Sequence, residues 1–463
     1  MRGALVFRIS TLLASLATLA AAVVYFLPPP AGASPVVMHA AALMLLTVGL
    51  WATGVIPEYI TSLLFFLLAV VLAIASPQVV FSSFTSATMW LVLGGLIIAE
   101  AVGSTGLGRR FAGVLFERFV GSYAALMVAV ALVATALSFF MPATVARMLL
   151  LLPIVVALAE RVGFAPGSNG YNGLCMTAIM LLYQSGSAIL PANAPNLVLA
   201  GAAETLYSVQ LIYAEYFWVM FPVLGFLKGA FVVALIYKMC PATVQPEISP
   251  PEFAPMSAAE KRLAVILVLA LLLWMTDAIH GVRAGWVALA AGLACLMPKI
   301  GVLPPTAFND VKFGPFFYTG ASIGLGAVVH ESGLGDVLGK MLLATLNLQP
   351  GHDFTNFMSL GLLNVLTGVL VTNPAMPAVT TALAASFAEA AGWPLAAAIM
   401  TIAVGYNVML MPYQVPPVVV GMYACRMSLA TAMRMALPIA VAGIVVFMPL
   451  EFLWWRVIGY FGG

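Results

Sequence analysis

The stretch Ser138-Phe139-Phe140-Met141-Pro142-Ala143-Thr144-Val145-Ala146-Arg147 decides how this chain is read. It separates two apolar runs, 123–137 and 148–159. Each falls short of the roughly 20 apolar residues that a membrane-spanning helix needs. A proline and small polar residues at the midpoint, with Arg109, Arg110 and Arg118 before and Arg161 after, predict a helical hairpin that enters and leaves on one face. Irregular backbone at that depth is tolerated only where protein or a water-filled cavity surrounds it, and an arginine there marks a site. Val371-Thr372-Asn373-Pro374-Ala375-Met376-Pro377 is the counterpart late in the chain. Two broken tips in matching halves imply a transporter.

The 463 residues are 63% hydrophobic and 7% charged, with a mean hydropathy of +1.10. A soluble protein carries about 25% charged residues, so the chain reads as one polytopic, all-α membrane protein whose main partner is the lipid bilayer. A net charge of +2, with basic residues scattered singly or in pairs, argues against a nucleic-acid partner. Cys175, Cys240, Cys295 and Cys425 are isolated in or beside apolar segments and read as small core residues, not as a metal or disulfide framework. The apolar run 5–27 is about twice as long as the core of a signal peptide, so residues 1–30 are read as an N-terminal membrane helix.

Apolar runs predict helices at 5–26, 37–55, 59–74 and 89–102, then the hairpin 122–160. A segment at 175–206, broken near 191–196, and a helix at 212–239 follow. The proline-rich, acidic stretch 241–260 reads as a cytoplasmic linker. Helices are predicted again at 263–278, 285–297 and 316–330. A second hairpin at 354–390, a segment at 395–422 broken near 412–417, and a helix at 430–459 complete the chain. Gly106 and Gly333 are 227 residues apart, Ala143 and Thr372 229, and Pro195 and Pro417 222. This near-constant spacing predicts two repeats, 31–240 and 261–463. With the N-terminus cytoplasmic, Arg109, Arg110, Arg118, Arg161, Lys238, Lys261, Arg262, Lys299, Lys312, Arg426 and Arg434 fall inside, and only Arg283, Lys340 and Arg456 outside. The result is about 11 transmembrane helices plus two re-entrant hairpins, the first opening inward and the second outward, in two inverted repeats. The expected location is a bacterial inner (plasma) membrane.

Four interruptions are placed to meet at mid-membrane: the tips near 143–145 and 372–374, and the breaks Pro191-Ala192-Asn193-Ala194-Pro195-Asn196 and Pro412-Tyr413-Gln414-Val415-Pro416-Pro417. They contain no Asp or Glu, and their only charge is Arg147. Hydroxyls, amides and unpaired N–H groups at helix starts favour anions, and unwound carbonyls beside them suit a small cation such as Na⁺. His330-Glu331 lacks the second histidine of a zinc-protease motif, because position 334 is Leu. Asp277 and His280 read as interfacial. Glu100 reads as packing or interfacial, with a proton relay as the alternative, and Lys228 as snorkelling.

Trp51-Ala-Thr-Gly-Val-Ile-Pro-Glu-Tyr-Ile-Thr-Ser-Leu-Leu64, the segment from Trp90 through Gly94-Gly95 to Arg110, the stretch 142–153, and Ala194-Pro195-Asn196 with Pro416-Pro417 carry a resemblance to a family. In their order and spacing, over essentially the whole chain, they resemble the divalent-anion:sodium symporters, which include dicarboxylate, citrate and sulfate carriers. The resemblance implies Ser-Asn-Thr signatures at both tips that bind substrate carboxylates and supply sodium ligands. They stand here as Ala143-Thr144-Val145 and Thr372-Asn373-Pro374, and only Asn373 is kept outright. It places the opposing backbone positions at Ala192 and Gln414, and suggests that Arg147 offsets substrate charge. An elevator-like motion and a homodimer are likewise implied.

The expected activity is secondary transport of a small divalent anion, C4-dicarboxylate-like before sulfate, with no enzymatic activity. The expected substrate site is Ala143, Thr144, Val145, Arg147, Asn193, Pro195, Asn196, Thr372, Asn373, Pro374, Gln414, Val415 and Pro416. Sodium is the possible coupling ion, at Ala143, Thr144, Ala192, Thr372, Asn373 and Gln414, and no other cofactor is expected. A sodium-independent anion exchanger or a proton-coupled carrier on the same fold is the alternative.

Overall fold

Proline and glycine set most of the helix boundaries. Pro35 opens the helix Pro35–Thr53 behind a Ser34 cap, and Gly54 closes it in the left-handed conformation (φ 60°). Gly106 and Gly333 adopt the same φ of 77° and do the same job twice. Each is a hinge between an apolar helix, Ala87–Thr105 or Gly314–Glu331, and an amphipathic one, Leu107–Arg118 or Leu334–Leu346. The computed structural model describes residues 2–119, 121–244 and 255–462, and every regular element among them is helical.

The two amphipathic helices are absent from the reading by apolar runs, because arginines, or Asp336 and Lys340, interrupt their hydrophobic faces. The first hairpin arm, Tyr123–Phe140, is longer than the run 123–137, since nothing stops it before Pro142. Most of the expected linker, 245–254, lies outside the described residues. Its end is corrected: a helix already begins at Ala258, where Ser257 and Glu260 form a reciprocal capping box.

Among the described residues, six helices are long and apolar enough to cross a bilayer: Pro35–Thr53, Ala87–Thr105, Tyr123–Phe140, Tyr213–Met239, Asp353–Val371 and Leu429–Val457. Shorter apolar helices, including Glu58–Val71, Ala284–Leu296 and Leu395–Tyr406, accompany them. Large apolar side chains such as Leu19, Phe226, Leu370 and Val445 lie on the outer surface, where lipid solvates them. Every residue from Cys175 to Ser187 of the helix Asn169–Ser187 is buried, and so is every residue from Ala397 to Tyr406 of Leu395–Tyr406. These two central helices end in the two breaks, which puts the interrupted backbone in the middle of the molecule.

Helix Ala87–Thr105 is the wall against which the first tip rests. A side chain at Gly94 would meet the Ala288 carbonyl at 2.3 Å, and one at Gly95 would meet Pro142 Cγ at 2.5 Å. One glycine therefore admits the helix Ala284–Leu296 and its neighbour admits the hairpin. At another helix end, the Asp277 carboxylate accepts from the Tyr213 and Ala214 N–H groups at 2.6 and 3.3 Å. It caps the start of Tyr213–Met239, a defined role for a residue read only as interfacial.

Candidate functional site

The first tip forms because Pro142 cannot extend the arm before it: Met141 turns to an extended conformation, and a new helix starts at Thr144. The chain at this turn is held by Arg147, which has no solvent exposure. Its Nη1 donates to the carbonyls of Met141 and Ala192, the latter at 2.7 Å. Its Nη2 donates to Thr144 Oγ1 at 3.0 Å and to the Leu182 carbonyl at 3.2 Å. Thr144 Oγ1 in turn reaches the Ala192 carbonyl at 3.4 Å. Gly186 leaves the room for this, since a side chain there would lie 2.6 Å from Arg147 Nη2. None of the three ion pairs among the described residues involves Arg147. Its charge is met by peptide carbonyls and a hydroxyl alone.

In the first break Asn193 caps the helix Ala194–Tyr207 through the Asn196 N–H, at 3.1 Å. Asn196 Nδ2 ties the break to the Gly186 and Ile189 carbonyls, at 3.0 and 2.8 Å.

The second tip is organised without a cation. Thr372 takes φ 74°, ψ 150°, a region nearly confined to glycine. Asn373 then donates its N–H to the Gln414 carbonyl at 2.8 Å. Its Nδ2 donates to the Tyr406 carbonyl at 2.9 Å and to the Tyr183 hydroxyl at 3.1 Å. Gln414 folds back through Oε1 to accept from the Leu410 and Met411 N–H groups at 2.8 and 2.7 Å, which shapes the second break.

Between the tips lies a cavity of about 190 Å³, smaller than the roughly 300–1,000 Å³ of drug-sized sites. Ala143, Thr144 and Val145 of the first tip line it, facing Asn373 and Pro374 of the second. Asn193 and Pro195 come from one break, Val415 and Pro416 from the other. Two helix starts, Ala194–Tyr207 and Pro416–Ala424, thus open onto one space, where the positive ends of their dipoles favour negative charge, although Pro195, Pro416 and Pro417 bring no N–H to it.

A model of the sodium:sulfate symporter transmembrane region matches residues 8–461. The chain belongs to the divalent-anion:sodium symporter family. A membrane protein of Cupriavidus necator is 23% identical over 395 residues, covering 82% of this chain and 76% of that one. The L-tartrate/succinate antiporter of Escherichia coli K12 is 25% identical over 281 residues, 58% of this chain. The match spans 57% of the antiporter's own length, little more than half. The fold is also similar to the crystal structure of the Alcanivorax borkumensis YdaH transporter, with a TM-score of 0.56 at 16% identity over 87% of this chain and 90% of that one. The family is one of transporters, not enzymes.

Among the expected site residues, Arg147, Asn196, Thr372 and Gln414 stand outside the cavity lining, as does the Ala192 expected to ligate sodium. Arg147, Asn196 and Gln414 hold the tips and breaks in shape from behind. The Ala192 carbonyl and Thr144 hydroxyl are both engaged by the Arg147 guanidinium. Sequence reasoning missed Tyr183, Tyr318, Thr319 and Glu58, all of which line the cavity. Tyr183 sits in an uninterrupted apolar helix that gives no local sign of which face looks inward. Glu58 carries the one available signal, an acidic residue directly after Pro57 in an apolar setting. Lys228 is also corrected: it is fully buried and donates to the Asn407 carbonyl at 2.9 Å and to Asn407 Oδ1 at 2.5 Å, instead of snorkelling.

Proposed function

We propose that this protein exchanges small dicarboxylates across the membrane without sodium. The carrying observation is the Arg147 guanidinium, which takes the carbonyls of Met141, Ala192 and Leu182 and the Thr144 hydroxyl. Two of these oxygens, those of Met141 and Ala192, come from interrupted backbone, the kind a transporter offers a coupling cation. Here a resident side chain supplies that positive charge permanently, and a permanent charge cannot be delivered and released with each cycle. The carrier then returns only when another anion loads the cavity, which is the condition for exchange. The similarity to an L-tartrate/succinate antiporter supports the same substrate class and the same mode.

In this reading one carboxylate of the substrate lies toward Thr144 and the start of the helix Ala194–Tyr207, the other toward Asn373 and the start of Pro416–Ala424. Arg147 offsets charge from one layer behind. The hairpins and broken helices move together against the remaining helices in an elevator-like step, within a homodimer in a bacterial inner membrane with the N-terminus cytoplasmic. Counterflow of labelled succinate in proteoliposomes tests this. Exchange is expected with succinate, malate or tartrate inside, at the same rate in sodium and in choline buffer. A rate that vanishes in choline restores sodium symport, and exchange of sulfate alone replaces the dicarboxylate.

A further inference from the structure

Two long helices, Tyr213–Met239 and Leu429–Val457, contain the π-helical stretches Phe221–Leu227 and Gly443–Phe447. Such stretches widen a helix by one residue and recur at functional sites. Lys228 follows the first directly, and Glu451 follows the second by one turn. The two are 223 residues apart, against the 222 that separate Pro195 from Pro417. Both are fully buried.

Burying an ammonium and a carboxylate is expensive unless each is paired and hydrogen-bonded. Neither residue belongs to an ion pair among the described residues. Lys228 Nζ leans toward the last helix, where a side chain at Gly443 would lie 3.3 Å from it, but its acceptors are both on Asn407. Glu451 Oε1 accepts from Trp455 Nε1 at 2.9 Å, while Oε2 has no partner. Lys228 and Glu451 lie within electrostatic reach of each other, though they form no ion pair. Tyr216 lies within electrostatic reach of Glu451 and meets the Tyr406 hydroxyl, and Tyr460 interacts with both Glu215 and Tyr216.

Lys228 is tied to the substrate cavity by a chain of hydrogen bonds that starts at Asn407. Asn407 Nδ2 donates to the Ser187 hydroxyl. The Ser187 carbonyl accepts from Tyr216 OH at 2.8 Å, and Tyr216 OH meets Tyr406 OH at 3.1 Å. The Tyr406 carbonyl accepts from Tyr183 OH and Asn373 Nδ2, both of which line the cavity.

We propose that Lys228 and Glu451 form an interior proton-binding site whose occupancy is linked to that of the anion cavity. Glu451 takes one proton from water, forming Oε2–H at the oxygen that otherwise lacks a partner, while Lys228 keeps its charge. The charge of the bundle rises by one, which favours an incoming dianion whatever the state of Glu58. By reciprocity, anion binding favours the proton. The linkage rests on the dicarboxylate reading above; the proton site does not.

Infrared spectra of the purified protein, taken between about pH 5 and pH 9, test the site without any substrate. A carboxylic-acid C=O stretch is expected to titrate in the wild type, to vanish in E451Q and to move its midpoint in K228M. A band that survives in E451Q, or a wild type without one, overturns the proposal. In weakly buffered dye solution, succinate is expected to draw close to one proton per site into wild type and none into E451Q. Equal uptake by wild type and E451Q removes the linkage. Succinate that does not bind counts against the substrate reading and leaves the infrared titration to decide the proton site. If E451Q fails to fold, E451D and K228M carry the test, and an unmoved band in both overturns it.

Discussion

At the first tip, three backbone carbonyls and a hydroxyl converge on the guanidinium of Arg147. At the second tip, in the matching place, Asn373 bridges two carbonyls and a tyrosine hydroxyl with neutral N–H groups. Both arrangements satisfy the loose backbone of a broken helix, and both tips present small residues to one cavity. They differ in charge. One end of the cavity is backed by a full positive charge, the other by dipoles alone, so two similar substrate ends meet unequal surroundings. If the cargo is the symmetric dicarboxylate proposed above, the cavity that holds it has a fixed polarity of its own.

The largest expected effect is at Arg147. Arg147→Met strands its carbonyls and removes the charge, and should lower succinate counterflow by about a hundredfold or more. Partial recovery of Arg147→Ala in sodium buffer would identify its oxygens as a cation cage; undiminished exchange in choline would erase the contrast between the tips. Asn373→Ala should cost roughly ten- to a hundredfold in the same assay. Sodium should not rescue it, because no charge is lost. Glu58→Gln addresses the wall the tips share: losing a carboxylate from an anion cavity should tighten succinate binding about fivefold by calorimetry. Thr372→Gly relieves a conformation that costs about 1–3 kcal/mol against a glycine penalty of about 0.5–1 kcal/mol. The melting temperature should rise slightly while exchange is unchanged.

The smallest effect concerns an arginine that, unlike Arg147, has an acidic partner. Arg110 Nε lies 2.6 Å from Glu260 Oε1. That guanidinium and the Ser257 N–H hold the Glu260 carboxyl down at about 2, from 4.5. A lowered folded-state value stabilises above the unfolded one, and the gain disappears as pH falls through the folded one. Melting temperatures of the wild type and Glu260→Gln should therefore differ above about pH 4.5 and converge toward pH 2.

The interruptions were legible because proline and asparagine leave few ways for an apolar chain to continue: Pro142, Pro195, Asn373 and Pro416 all mark cavity-lining turns. What stood behind them was not legible. Arg147 reads from sequence as a ligand for substrate, yet the fold aims it at the peptide backbone, a partner common to every residue and invisible in any motif. Lys228 reads as snorkelling because an all-apolar helix carries no periodicity to say which side is interior. Tyr183 joins Asn373 from 190 residues away, beyond the reach of local pattern. The helices Leu107–Arg118 and Leu334–Leu346 escaped for the opposite reason, being too polar for a search by hydropathy, although their glycine hinges were found as repeat landmarks.

Gly95 carries one more consequence. With only hydrogen between that helix and the ring of Pro142, the contact has no room for even a methyl group. Filling it with a tryptophan would wedge the hairpin off its seat and jam the carrier on one side of its cycle, giving a trapped form whose shape can be compared with the present one.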